Sequence, residues 1–275
     1  MMPLLATVVG VTGLSIGSFL NVVVYRVPRG FSIVRPASAC PGCGSEIRAR
    51  DNVPVLSWLL LGRRCRVCRI PISARYPMVE VLTALAFVLV ALLFAPAIVR
   101  ADGAAATTGA ALQLVAYLVL AAVSIALSAI DLELRRLPNP IVLTAFVAGV
   151  LLLVPAALLS GQPQLLVSAG VGAAASFIFY LLLALIGPGG MGMGDVKLAG
   201  VLGLYLGALG WAPLLVGVGA AFVVGAVAGA VVLVMRRSMR DRSLPFGPWM
   251  FLGAWIGIIG GESIASGYLR FVGLG

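Results

Sequence analysis

Long apolar runs, punctuated by short polar or glycine-proline breaks, dominate the chain. A run of roughly 20 uncharged apolar residues is the length an α-helix needs to cross a bilayer. Eight runs fit this pattern: residues 3–24, 78–99, 112–130, 141–159, 165–186, a shorter one at 198–211, 214–235 and 249–264. The breaks read as a small-residue loop at 101–109, a polar turn at 132–138 closed by Pro138 and Pro140, and a turn at 161–163. A glycine-rich loop at 187–194 and a basic loop at 236–244 follow. Residues 25–77 differ in kind. They are polar and arginine-rich, and form the one stretch long enough for a small domain outside the membrane. The pattern predicts an all-α integral membrane protein of about eight transmembrane helices, divided into a first span (1–24), a loop domain (25–77) and a helical bundle (78–275). No internal repeat is visible, so an inverted-repeat transporter gains no support.

Composition agrees: 61% of the 275 residues are hydrophobic, 10% are charged, and the mean hydropathy is +1.14. The first run has no basic segment before it and is long enough to span, so it reads as an anchor rather than a cleaved signal. A net charge of +10 would suggest nucleic acid in a soluble protein, but here the positive-inside rule is the plainer cause. Placing residues 25–77 in the cytoplasm and threading eight spans puts 17 of the 19 basic residues on the cytoplasmic side, leaving Arg100 and Arg270 outside. Glycine is frequent in the sixth and seventh runs, which suits close helix packing in lipid.

Histidine is absent, which excludes a Ser-His-Asp triad, a Cys-His pair and an H-E-x-x-H zinc site. Two aspartates remain at span ends. Asp131 closes the third run, and Asp195 lies in the string GMGDVK at 192–197 beside Lys197, the single lysine. The threading puts both on the cytoplasmic side. Two carboxylates held close in a low-dielectric setting share a proton and can activate one water between them. Gly192 and Gly194 would let another backbone approach Asp195, and these glycines with Lys197 are candidates for a supporting loop. The plainer alternatives are that Asp195 caps a helix and that Asp131 pairs with Arg135 four residues on.

The four cysteines form two C-x2-C hooks, Cys40/Cys43 and Cys65/Cys68, with 21 residues between them. In a reducing compartment such hooks read as a structural zinc site, with disulfides as the alternative. The gap is slightly longer than the usual range of about 15–20. Four thiolates leave no open coordination position, so the metal would fold the loop rather than catalyse. Ten arginines lie in the same stretch, but Phe31, Trp58 and Tyr76 are scattered and offer no stacking platform, so no nucleic-acid partner is expected. The loop reads as facing solvent or lipid headgroups.

Taken in order, these strings resemble the type IV prepilin peptidase family over nearly the whole chain. They are GSFLNVVVYRVP at 17–28, the two cysteine hooks with DNVPVLSW at 51–58 between them, and RYPMVE at 75–80. Asp131 with LPN at 137–139, GMGD at 192–195 and PFGP at 245–248 complete the set. The resemblance implies an intramembrane-type aspartyl endopeptidase with Asp131 and Asp195 as its catalytic pair, in a bacterial cytoplasmic membrane with the site facing the cytoplasm. It implies removal of the leader from type IV prepilin or pseudopilin precursors. It also implies, for a chain that keeps this N-terminal domain, methylation of the new N-terminus from S-adenosylmethionine. Asn21, Arg26 and Glu80 are polar groups at span edges that are candidates for contacting the methyl donor or the new amine; anchoring helix ends is the plainer role. The competing readings are a membrane aspartyl signal peptidase without methyl transfer and a membrane-tethered zinc module that binds a partner. The second leaves both aspartates unexplained.

Overall fold

The structure, a computed structural model, describes residues 2–186, 191–235 and 245–273. The glycines at 187–190 and the basic loop at 236–244 lie outside them. Nine α-helices occur among the described residues: α1 (Met2–Arg26), α2 (Leu56–Leu60), α3 (Arg75–Arg100), α4 (Gly103–Leu134) and α5 (Asn139–Leu159), then α6 (Gln164–Ile186), α7 (Met193–Gly207), α8 (Trp211–Met235) and α9 (Gly247–Phe271). Among the described residues two short 3-10 turns, Val27–Arg29 and Ala49–Asp51, and two isolated β-bridges, Ala39 with Glu46 and Arg64 with Pro71, accompany them. Seven helices are long and apolar enough to cross a membrane. The eighth member of the bundle, α7, has 15 residues. At about 1.5 Å per residue it reaches only about 22 Å, short of the roughly 30 Å hydrocarbon layer.

That shortness fits its position. Helix α7 packs against α5, α6, α8 and α9 and is buried along almost its whole length from Val196 to Gly207. A helix enclosed by protein needs neither a lipid-facing stripe nor a full span. Close approach to α6 requires glycine. A Cβ on Gly203 would run into the Gly172 carbonyl, and one on Gly207 into the Ser168 backbone. The Ser168 hydroxyl then donates to the Gly207 carbonyl (2.6 Å). Tyr205, fully buried, accepts at its carbonyl from the Tyr117 hydroxyl of α4 (2.7 Å) and donates its own hydroxyl to the Ala145 carbonyl of α5 (3.1 Å). In hydrocarbon an unpaired hydroxyl is costly, so these bonds fix α7 in rotation and depth between α4 and α5. The other main pairings are α1 with α3, α3 with α4, α4 with α5, and α8 with α9.

Four expectations need correction. The third span begins not near residue 112 but at Gly103, and the loop expected at 101–109 shrinks to Ala101 and Asp102. The alanine-rich stretch after Gly103 is a good helix former with no proline to stop it. Thr107 and Thr108 return their hydroxyls to the Gly103 and Ala104 carbonyls (2.9 and 2.8 Å), so their polarity does not force a loop. Second, Asp131 does not end its helix. Helix α4 continues to Leu134 and leaves through Arg135 in the left-handed region (φ 53°). Gly194, expected in the glycine loop, lies in the first turn of α7, and α9 runs on to Phe271 beyond the expected 264.

Candidate active site

Asp131 sits on the buried face of α4, following the fully buried Leu127 and Ile130, and is itself 5% exposed. Its Oδ2 accepts the backbone N–H of Gly247 (3.0 Å). Gly247 opens α9, and the first N–H groups of a helix have no partner within it. A carboxylate there satisfies one of them and meets the positive end of the helix dipole. Gly247 must be glycine for this: a Cβ would stand 2.8 Å from the same Oδ2 and 3.3 Å from Leu137.

Asp195 is the third residue of α7, and its Oδ2 accepts the N–H of Gly192 (3.2 Å). It does therefore cap its helix, from within the first turn, as half of a capping box. Asp195 remains partly exposed. Leu137 ties the surroundings together, since a Cβ on Gly194 would stand 3.0 Å from the Leu137 Cβ while Leu137 also lies against Gly247. From the next residues of that turn, Asn139 accepts from Lys197 Nζ (3.0 Å). Lys197 thus braces α7 against the start of α5. Three segments far apart in sequence, residues 131–137, the start of α7 around Asp195 and the start of α9 at Gly247, meet at one end of the bundle.

Two contributors were not legible beforehand. Gly247 lay in a noted motif but had no assigned role, because its partner is 116 residues away. Tyr180 of α6 is buried and packed among Phe179, Phe222 and Phe246, the last of which directly precedes Gly247. One tyrosine inside an apolar run carries no signal that distinguishes it from the other tyrosines.

The four cysteine sulfurs lie within 4.8 Å of one another, with Cys40 and Cys68 at 3.7 Å. Thiolates about 2.3 Å from a tetrahedral zinc stand about 3.8 Å apart, so the donor set fits that ion. The two hooks are built alike. Cys40 N–H donates to Ser45 and Cys65 N–H to Ile70 (both 2.9 Å), while Gly44 and Arg69 return to the Cys40 and Cys65 carbonyls (2.9 and 3.2 Å). Gly44 and Arg69 both take positive φ, 70° and 61°. Cys43 is pushed down to about 6 by hydrogen bonds from the Ser45 hydroxyl and backbone, which favours the ligating thiolate. Between the hooks, Arg66 grips Asp51 with two nitrogens (2.8 and 2.5 Å), and this bidentate bond holds the carboxyl below the usual carboxylate range.

Arg26 and Glu80 organise this loop, and Asn21 ties α1 to the start of α3. Asn21 donates to the Tyr76 carbonyl (3.2 Å). Arg26 donates to the carbonyls of Ser32 (2.9 Å) and Pro36 (2.8 Å). Glu80, buried, accepts the Val55 N–H (2.7 Å). Val55 is the centre of a γ-turn (φ 59°, ψ −49°) closed by Leu56 N–H to Pro54 C=O (2.5 Å), a strained conformation for a β-branched residue. Glu80 is what holds it.

Fold and site define a class: a polytopic helical membrane protein with two carboxylates brought together at one end of the bundle and a separate four-cysteine loop. Comparison with known proteins narrows this. Residues 11–94 match the bacterial peptidase A24 N-terminal domain, and residues 118–233 match the type IV leader peptidase family. A relative named prepilin leader peptidase/N-methyltransferase in Aeromonas hydrophila is 35% identical over 93% of this chain and 91% of its own length. One of the same name in Pseudomonas aeruginosa PAO1 is 33% identical over 95% and 92%. Another in Myxococcus xanthus is 37% identical over 84% of this chain and 64% of its own length. No solved structure matches. The chain belongs to the type IV leader peptidase family and is a multi-pass bacterial membrane enzyme.

Proposed function

We propose that this enzyme removes the leader of type IV prepilin or pseudopilin precursors at the cytoplasmic membrane face, with Asp131 and Asp195 as its catalytic pair, and N-methylates the new terminus. One observation carries the reading. Among the described residues each carboxylate accepts one backbone N–H through one oxygen, Asp131 from Gly247 and Asp195 from Gly192, which leaves the other oxygen of each for chemistry. Acting with one proton between them, the ionised carboxylate takes a proton from water as the oxygen attacks the scissile carbonyl, and the protonated one donates to the carbonyl oxygen. Collapse of the tetrahedral intermediate breaks the C–N bond: the proton held by the first carboxylate passes to the leaving amine, and a hydroxyl of the intermediate returns its proton to the second carboxylate as the carbonyl reforms, restoring one proton between the pair. A precursor with a basic leader followed by an apolar helix presents its cleavage site at the membrane surface. The positive-inside distribution of basic residues supports a cytoplasmic site.

Cys40, Cys43, Cys65 and Cys68 would hold zinc as a closed structural site that folds the loop. S-adenosylmethionine, as methyl donor, supplies an electrophilic methyl group to a neutral amine. Asn21, Arg26 and Glu80 hold backbone groups of the loop and of its return into α3, so the part given to them is to shape the loop around the transfer. The test is purified protein with a prepilin precursor and S-adenosylmethionine, read by mass spectrometry of the mature N-terminus. Asp131→Asn and Asp195→Asn should each insert normally and abolish cleavage. Near wild-type processing by either variant refutes that residue's role.

A further inference from the structure

The tetracysteine loop leaves the bundle after Arg29 and returns to it at Arg75, and both arginines end on the same carboxylate. Arg29 pairs with Glu133 Oε1 (3.5 Å) and Arg75 with Glu133 Oε2. Glu133 lies on α4 two residues beyond Asp131. Another pair among the described residues, Asp51 with Arg66, stays inside the loop. The Arg29 and Arg75 bonds instead cross from the segment that matches the N-terminal domain to the segment that matches the peptidase. Arg29 is set in advance, since its guanidinium lies over the Tyr25 ring (4.3 Å) and donates to the Tyr25 carbonyl (2.8 Å). Little side-chain freedom is then lost on pairing.

We infer that Glu133 is a positioning residue that fastens both stems of the loop to the helix end carrying Asp131, so that a newly cut N-terminus is methylated before the product departs. The inference rests on the two activities proposed above. Nothing about cutting the peptide bond requires the clamp, because Asp131 and Asp195 are held by Gly247 and Gly192. Handing the product on does require it: the amine and the loop must keep a fixed separation through the interval between the two reactions, and effective concentration falls as a tether loosens. The three side chains are about one-third exposed, at 32%, 37% and 38%. Exposed pairs are weak singly and are screened by salt. Two arginines on one carboxylate, both flanking the same loop, make a latch of moderate strength rather than a rigid weld.

The experiment follows precursor, cleaved product and methylated product in time, by mass spectrometry, for the full-length protein in lipid vesicles with S-adenosylmethionine. Wild type should show little unmethylated product at early times. Glu133→Gln should cleave at the wild-type rate, within about twofold, and raise the early unmethylated fraction about fivefold, the order set by losing weak exposed pairs. Glu133→Asp, which keeps the charge, should fall between them. Raising salt from about 0.05 to about 0.5 M should move wild type toward the Glu133→Gln pattern and leave that variant unchanged. The reversed triple variant, Arg29→Glu with Arg75→Glu and Glu133→Arg, should recover coupling. An unchanged ratio in Glu133→Gln overturns the inference, and so do equal losses of cleavage and methylation, which would mark a merely structural role. A wild type that cleaves without methylating removes the functional reading itself, and this is seen before any substitution is made.

Discussion

Replacing Gly247 by alanine separates helix stability from site geometry, because the two respond in opposite directions. An alanine Cβ would stand 2.8 Å from Asp131 Oδ2, 3.3 Å from Leu137 Cδ2 and 3.5 Å from Asp131 Cγ. The first contact is closer than real Cβ atoms tolerate, so the carboxylate must move by at least a few tenths of an ångström. The oxygen that must move is the one bonded to Gly247 N–H at 3.0 Å, so the methyl group weakens or breaks that bond. A hydrogen bond to a charged group contributes about 1.5–3 kcal/mol, and losing it frees a carboxylate that the mechanism needs fixed. At about 1.4 kcal/mol per tenfold in rate, cleavage should fall about 10- to 100-fold. Helix propensity pulls the other way: alanine in the first turn of α9 is favoured over glycine by up to about 1 kcal/mol. The assay is precursor cleavage by purified Gly247→Ala in parallel with thermal unfolding. Gly219→Ala on α8 is the control, because its Cβ would have no neighbour within 4 Å. Wild-type cleavage by Gly247→Ala would refute the role given to this contact. So would a loss of activity matched by an equal loss of folded protein.

Three further outcomes are expected. Cys40→Ser with Cys43→Ser should release zinc, read by elemental analysis, and drop methylation to background while cleavage weakens but persists, since zinc binding supplies on the order of 10 kcal/mol to so small a fold and the aspartates stand on helices outside the loop. Full methylation by the zinc-free protein would remove the loop from the transferase. Gly44→Ala should cost the loop about 1–2 kcal/mol through its left-handed backbone alone, because nothing lies within 4 Å of a Cβ there, while Arg69→Gly at the matching position of the second hook should not destabilise; zinc-release midpoints in denaturant report both. Reporter fusions at Asp51 and Arg136 should read cytoplasmic and those at Thr107 and Gly161 should read outside; an external signal at Arg136 would sink the proposed orientation.

Family and fold class were legible because a bilayer writes them directly into the chain. Lipid has no hydrogen bonds to offer, so each span must be a helix of apolar residues, and the runs appear as runs. The C-x2-C hooks were equally plain, since two ligands on one tight turn must be near neighbours in sequence. The match of 11–94 to the N-terminal domain and of 118–233 to the peptidase favours the two-part enzyme over the signal peptidase that lacks the loop. Where composition was ambiguous the reading failed. The alanines and threonines after Gly103 suit a loop or a helix, and helix is what forms, with the threonine hydroxyls returned to carbonyls of the same helix.

What only the tertiary structure decided is which groups complete the site. A backbone N–H has no signature in sequence, so nothing marked Gly247 as the donor to Asp131 until α9 was set against α4. Glu133 looked like one more charge in a polar turn, and its meaning lies in Arg29 and Arg75, 104 and 58 residues away. Glu80 was noticed as an acid near a span edge, but its task of holding the strained turn at Val55 depends on a loop that folds back onto α3. The physical reason is common to all three. Residue type determines which partners a group can accept, whereas the packing of helices determines which one it meets.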